Sequence, residues 1–376
     1  MIRNQPLSDF LTEYTLRNDN NQYKPVAVGR YGIRTRDSIY TKELAKDYSK
    51  NKVIYQDTLT VGMGSVQIDI GILTEDIRYS VSPAYHTYQI RNINPAYLRY
   101  CLECRNQDMF TRFVKRGSRQ GKSIDLKRWL TYEIPVFDER KQAEIVAVLD
   151  RISTQVANRQ EQLELFEQLV KSRFIELFES KSWETVRVDS IMFNMRNGVS
   201  PSNVGNHPAK VLTLSAITQG DFDPNSWKDG MFETEPPIEK RVTASDFYMC
   251  RGNGNKKLVG AGVYSKENRY DLVFPDTAIA ATVDLQRVCL PYLFHAWKRP
   301  SVRDQIEACA RTTNGTYKIN QGVISNIELF LPPIDLQEQF AAFVEQTDKS
   351  KYFIQSTIEN YLLIKKSSWR EKHDYN

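Results

Sequence analysis

The sequence predicts an α+β protein: two mixed α/β domains, each closed by a long helix, the two helices pairing antiparallel as a coiled coil in a pseudo-two-fold internal repeat. Three observations predict it. Residues 138 to 179 run without proline or glycine and carry apolar residues at alternating steps of four and three. Motifs of the first half return in the second at a nearly constant offset. Short β-branched and aromatic runs sit between turn signals, the mark of strands.

The first domain is expected over 1–137. Val53-Ile54-Tyr55 and Leu59-Thr60-Val61 read as strands, and Asp57-Thr58-Leu59 leads to Gly62-Met63-Gly64. Asn94-Pro95 opens a helix over 97–113, a capping side chain followed by a proline whose missing N–H costs nothing there. Ile134-Pro135 reads as a last strand. The central helix follows over 138–180, with its seam at Ile145, Leu149, Ile152, Val156, Leu163, Phe166, Val170 and Leu177, and with Arg159 and Arg173 at the two polar seam positions. At about 1.5 Å per residue it is roughly 60 Å long, too long and too narrowly striped to bury itself alone.

The second domain is expected over 181–333. Asp246-Phe247-Tyr248 leads to Gly252-Asn253-Gly254, and Leu258-Val259 and Val263-Tyr264 read as strands. Residues 291–309 are the counterpart of the helix at 97–113, and Leu329-Phe330-Leu331 is again a last strand. Leu98 and Leu293, Arg116 and Arg311, and Ile124 and Ile319 each stand 195 positions apart. A slip to 197 then matches Pro135 with Pro332 and Gln142 with Gln339. The closing helix, 334–376, carries Phe340, Val344, Thr347, Ile354, Ile358 and Tyr361 on the same rhythm, with Lys351 and Lys365 at polar positions. Residues 12–50 and 196–245 match poorly, so a shared frame carries divergent surface segments.

Composition bounds the function. The chain has 376 residues, 41% hydrophobic and 26% charged, with a net charge of +5 that permits a nucleic-acid partner without requiring one. No window approaches eighteen unbroken apolar residues, and Met1-Ile2-Arg3-Asn4-Gln5-Pro6 lacks the apolar core of a signal peptide. No membrane contact and a cytoplasmic location are expected, with the five scattered cysteines as reduced thiols.

Machinery for chemistry is not evident. Gly117-Ser118-Arg119-Gln120-Gly121-Lys122-Ser123 is one residue short of a phosphate loop and follows a helix, not a strand. Cys101-Leu102-Glu103-Cys104 has no second cysteine pair, and His86, His207, His295 and His373 form no ligand pair, so no metal site is expected. Glu235-Pro236-Pro237-Ile238 and Leu331-Pro332-Pro333-Ile334 both fail the tetrapeptide of amine-directed DNA methyltransferases.

What recurs is polar and cationic. Arg116, Ser118, Arg119 and Lys122 are echoed by Arg311, Thr313, Asn314, Tyr317 and Lys318. Arg251, Asn253, Asn255, Lys256 and Lys257 flank the second glycine pair, and Arg34 and Arg36 form a further cluster. Each cluster alone is more often a solvated face than a contact. The loops at 116–122 and 311–318, recurring in both copies, suit phosphate positioning and base-edge reading, and the other clusters add candidate contacts. Double-stranded DNA is therefore one candidate partner, and a coiled-coil scaffold or effector-binding protein with no DNA role is the other.

Ile134-Pro135 through Gln142 to Leu149, and Leu331-Pro332-Pro333-Ile334-Asp335-Leu336-Gln337-Glu338-Gln339, each just before a long helix, resemble the specificity subunits of type I restriction–modification systems. Val81-Ser82-Pro83-Ala84-Tyr85 and Arg116-Gly117-Ser118-Arg119-Gln120 add to the likeness, which covers nearly the whole chain. Val136-Phe137 departs from the family's usual second proline and aliphatic. The resemblance implies two target-recognition domains reading an asymmetric bipartite DNA site. It implies two conserved helices acting as a ruler and as a docking surface for two modification (methyltransferase) subunits, with a translocating restriction subunit in the larger complex. It implies no catalysis and no cofactor in this chain; S-adenosylmethionine, ATP and Mg²⁺ belong to the partners.

Overall fold

The structure, a computed structural model, describes residues 3–30, 32–39, 47–117, 121–202, 204–313 and 315–371, without the side chains of 37, 116, 117, 313 and 365–371. Two compact units result: Met1–Gln160 with Gln355–Asn376, and Glu161–Ile354. Each takes one half of the central helix, Glu139–Phe174, and one half of the closing helix, Ile334–Glu371. Among the described residues no helix is long and apolar enough to cross a membrane.

Both units are built on one topology. In unit 1, Arg3–Pro6 pairs antiparallel with Glu133–Val136, the strand that precedes the central helix. Its main sheet runs Leu11–Glu13, His86–Ile90, Thr58–Met63, Ile68–Leu73. In unit 2, Thr185–Arg187 pairs with Glu328–Phe330, the strand before the closing helix. The main sheet there runs Met192–Asn197, Ala278–Val283, Asp246–Cys250, Gly262–Tyr264, the same order of equivalent strands. Register sets Thr58 opposite Gln89 and Asp246 opposite Thr282, so Asp246 occupies the place of Thr58. The glycine pairs aligned in the sequence are therefore not equivalent. Gly62 lies inside its strand, whereas Gly252 starts a new one.

The helix roots correct the expected slip. Tyr97 Oη donates to the Pro135 carbonyl at 2.8 Å, and Tyr292 Oη donates to that of Phe330. Asp125 caps Leu126–Trp129 by accepting from Arg128 N, and Asn320 caps Gln321–Ser325 by accepting from Val323 N. All these pairs stand 195 apart. The offset never changes to 197: Gln142 corresponds to Gln337, not Gln339, and Phe137 fills the place of Pro332.

Three further expectations change. The helix beginning at Asn94 spans Pro95–Phe113, capped by Asn94 Oδ1 accepting from Tyr97 N at 3.1 Å. Its counterpart is two helices, Leu290–Trp297 and Pro300–Cys309. Pro300 has no N–H for the helical ladder and holds Arg299 extended, at ψ 147°, which ends the first helix. Lys256–Leu258 is a 3₁₀ turn, not a strand, because Asn255 Oδ1 accepts from Lys257 N and Gly260 turns the chain at φ +69°.

The seam is buried unevenly. Ile145 and Leu149 join the unit 1 core, and Val170, Phe340 and Val344 join that of unit 2. Ile152, Val156, Leu163, Phe166, Leu177 and Tyr361 are half-buried. Ile354 and Ile358 are buried, at 7% and 8% exposure, while belonging to neither core. The central helix continues beyond Phe174 as a π-helical turn, Ile175–Glu179, and in these last turns the principal buried residues are Phe174 and Phe178, with Leu177 at the edge. A straight helix drifts away from a strict 3.5-residue repeat, and steps of four from Val170 follow the domain face. Phe340 meets Phe174 at 5.4 Å and Phe178 at 5.6 Å edge-on, so the end of the central helix packs on the start of the closing helix.

Candidate nucleic-acid interface

Unit 2 gathers its candidate residues on a small three-stranded sheet. Arg311–Thr313 and Thr316–Lys318 form a hairpin, and Gly252–Asn253 adds to its far edge. Gly315 holds φ +76°, a left-handed conformation that suits glycine in so tight a turn. The pairing sets Gly252 and Arg311 on either side of Lys318, and Asn253 opposite Tyr317. The exposed Arg311 and Lys318 are thereby joined to the turn carrying the half-buried Lys256 and the exposed Lys257. Asn314 and the Thr313 side chain lie outside the described residues.

The turn is held in place. Asn253 Oδ1 accepts from Asn255 N at 2.8 Å, and Asn255 Oδ1 from Lys257 N at 3.1 Å. Arg303 Nη2 donates to the carbonyls of Lys257 and Val259 at 3.0 and 2.9 Å, and Trp297 Nε1 to that of Gly260 at 2.8 Å. Arg303 and Trp297 went unnoticed in the sequence, since nothing local ties them to a turn some forty residues earlier. Arg251, by contrast, is committed internally: its Nη1 pairs with Asp276 Oδ1 at 2.9 Å.

Among the described residues unit 1 keeps the hairpin without a third strand. Val114–Gly117 pairs with Gly121–Ile124, setting Arg116 opposite Lys122. Ser118, Arg119 and the Arg116 side chain lie outside the described residues. Lys122 Nζ donates to the Ser65 carbonyl and lies 5.3 Å from the Phe110 ring centroid, so the hairpin reaches the turn at Gly64–Gln67, which the Gly64 N to Gln67 O bond closes. Lys115 pairs with Asp125 at 2.6 Å and holds that carboxyl below the ordinary carboxylate range. Beside Gly64, burial pushes the Asp69 carboxyl upward.

Arg34 and Arg36 belong to a different structure. Val26–Gly29 and Gly32–Thr35 form a hairpin, and Arg36 opens the short 3₁₀ turn that follows. The hairpin packs on Ile68–Leu73 at Gly71, where a Cβ would lie 2.6 Å from Ile33 Cγ1. The Arg36 guanidinium lies 5.6 Å from the Tyr48 ring centroid.

No family model matches the chain. It is 28% identical over 186 residues to the Type I restriction enzyme EcoKI specificity subunit of Escherichia coli K12. The match spans 48% of this chain and 39% of that protein, less than half the length of the relative. A crystal structure of a type I restriction–modification system S subunit from M. genitalium superposes with a TM-score of 0.56 at 12% identity, over 98% of this chain and 94% of that one. A chain solved in work on complex assembly and conformational transition of the type I system gives 0.56 at 16% identity, over 97% and 96%. At these identities the likeness to both structures is one of fold.

Proposed function

We propose that the chain is a specificity subunit of a type I restriction–modification system, that it reads an asymmetric bipartite DNA site, and that it docks the subunits that modify and cleave that site. One observation carries the reading. The same strand order and the same hairpin occur in both units, but the hairpins are dressed differently. Equivalent scaffolds with unlike donors suit two half-sites of unlike sequence. The exposed cations Arg311, Lys318, Lys257 and Lys122 supply phosphate contacts, and the polar strand residues face base edges.

In this reading the two long helices pair antiparallel and space the domains. Supporting this are the buried Ile354 and Ile358, which no domain core claims, and the packing of Phe174 and Phe178 on Phe340 within unit 2. Docking of two modification subunits on the helices is supported by outward apolar side chains, Tyr352 at 78% exposure and Phe353 at 68%. A groove of about 960 Å³ beside them is lined by Tyr264, Leu290, Val344 and Tyr352. The chain itself is non-catalytic and cytoplasmic in this proposal. S-adenosylmethionine serves the modification subunits and ATP with Mg²⁺ the restriction subunit, and methylation proceeds on a base flipped into a partner's pocket.

Gel shifts on random duplex DNA, with the modification subunit present, test the reading. Binding that weakens steeply between low and moderate salt is expected. Methylome sequencing in the host should then return one two-part motif with a fixed unread gap. Absence of both results favours a scaffold with no DNA role.

A further inference from the structure

Among the few polar side chains buried in this protein are two glutamines, Gln142 at 4% exposure and Gln337 at 0%. They stand 195 positions apart, each in the first turn or so of a long helix. Gln142 Oε1 accepts from Asn94 N at 2.9 Å, and its Nε2 donates to the Phe137 carbonyl at 2.7 Å. Gln337 Oε1 accepts from Cys289 N at 2.9 Å, and its Nε2 donates to the Pro332 carbonyl at 2.8 Å and to that of Arg287 at 3.0 Å. Asn94 and Cys289 are the residues that begin Pro95–Phe113 and Leu290–Trp297. Each glutamine therefore ties three pieces together: the long helix, the peptide entering it, and the first turn of the helix packed in the domain.

Nothing about helix formation calls for a buried glutamine at this place. An apolar side chain fills such a site without the cost of burying an amide, but it leaves the Asn94 or Cys289 N–H without its partner. The Tyr97 and Tyr292 hydroxyls bond the carbonyls of Pro135 and Phe330, two residues before those held by the glutamines. One hydrogen-bonded point leaves the entering strand free to pivot, and two fix its direction. We propose that Gln142 and Gln337 are positioning residues that set the angle of each recognition domain on its own long helix, and thereby the gap the protein accepts between half-sites.

This inference rests on the DNA-reading function proposed above. The lever is long: a tilt of about 4° at the root moves the far end of a 36-residue helix, roughly 54 Å in length, by about 4 Å. That is close to the ~3.4 Å rise of one base pair. A root lacking its clamp tolerates sites one base pair too long or too short.

The test uses the full chain assembled with its modification subunits and a DNA pool carrying the two half-sites at varied gaps, with methylation read by sequencing. The variants are Gln142→Glu, Gln337→Glu, Gln142→Met and Gln337→Met, with the exposed Gln168→Glu as control. Glutamate keeps the shape and the acceptor but sets a carboxylate oxygen against the carbonyl the amide had bonded, so that contact turns from attractive to repulsive; methionine loses both bonds without adding a charge. Methylation of sites with a gap one base pair off is expected to rise about tenfold over wild type, the ratio that one lost hydrogen bond supports. The half-site bases stay the same, and the control keeps the wild-type gap.

Folded variants that keep the wild-type gap overturn the inference, as does an activity loss at every gap alike, which marks a purely structural role. Should the methionine variants fail to melt cooperatively, the glutamate variants decide between these outcomes. A wild-type complex that recognises no two-part site defeats the functional reading instead, so the two failures are distinguishable.

Discussion

Asp246 is 1% exposed and takes four hydrogen bonds from side chains: Arg196 Nη2 at 2.5 Å, Thr243 Oγ1 at 2.7 Å, Thr282 Oγ1 at 2.8 Å and Tyr248 Oη at 3.3 Å. Arg196 reaches it from a bulge in Met192–Asn197 and also donates to the Glu239 carbonyl at 2.6 Å. A buried ion pair tolerates loss of one partner badly, since the other charge is stranded. Asp246→Ala should cost about 3–5 kcal/mol, seen as a lower urea midpoint for unit 2. Asn at the same position should cost less, because it keeps an acceptor for the hydroxyls. At the interface the residue effects are of another kind. Lys257→Ala and Lys318→Ala should each reduce the slope of log binding against log salt by about 1. The gap and the half-site bases should not change; if they do, these lysines read bases. The sequence marks Lys318 as a candidate phosphate contact but not its neighbours, which strand pairing supplies, and nothing in the run from Asp246 to Gly252 signals the buried ion pair with Arg196.

Among the elements, the junction of Leu290–Trp297 with the two long helices is chemically the most distinctive. His295 lies among the rings of Phe174, Phe294 and Phe340 at 6.3, 5.2 and 5.2 Å. Burial lowers its pKa to about 4 from the ordinary 6.5, with Lys298 and Lys351 pushing the same way and Asp348 opposing. The unfolded chain takes up a proton near pH 6.5, whereas the folded one does so only near 4. Unit 2 should therefore lose stability as pH falls from about 6.5 to 4 and be least affected by this group above 6.5. His295→Gln should flatten that part of the stability–pH curve; an unchanged slope would mean the imidazole protonates freely in the fold. Helix existence was legible because the seam is periodic along the chain. The ends were not: Phe174 and Phe178 answer to the unit 2 core, and Pro300 divides what helical pattern alone joined.

For the whole molecule, the proposed ruler makes a dimensional prediction. Inserting one heptad within both long helices should lengthen the unread gap by about three base pairs, since seven residues add ~10 Å and each base pair rises ~3.4 Å. Methylome sequencing that returns the original gap removes the ruler from the account. The repeat itself was legible at Leu98 and Leu293, Arg116 and Arg311, and Ile124 and Ile319, all 195 apart. Beyond them the letters mislead, because Gln339 is also a glutamine and Pro332 also a proline. Matching letters drew the register two residues away from the one that hydrogen bonding requires.

By itself the sequence determined the repeated plan and the two long helices, because both are written in spacing along the chain. Periodicity and offset survive without knowing what touches what. Only the tertiary structure decided which glutamine is equivalent to which, which cations share a sheet, and where the seam hands over to a domain core. Those depend on partners forty or more residues away, whose amides and carbonyls must be satisfied once water is excluded.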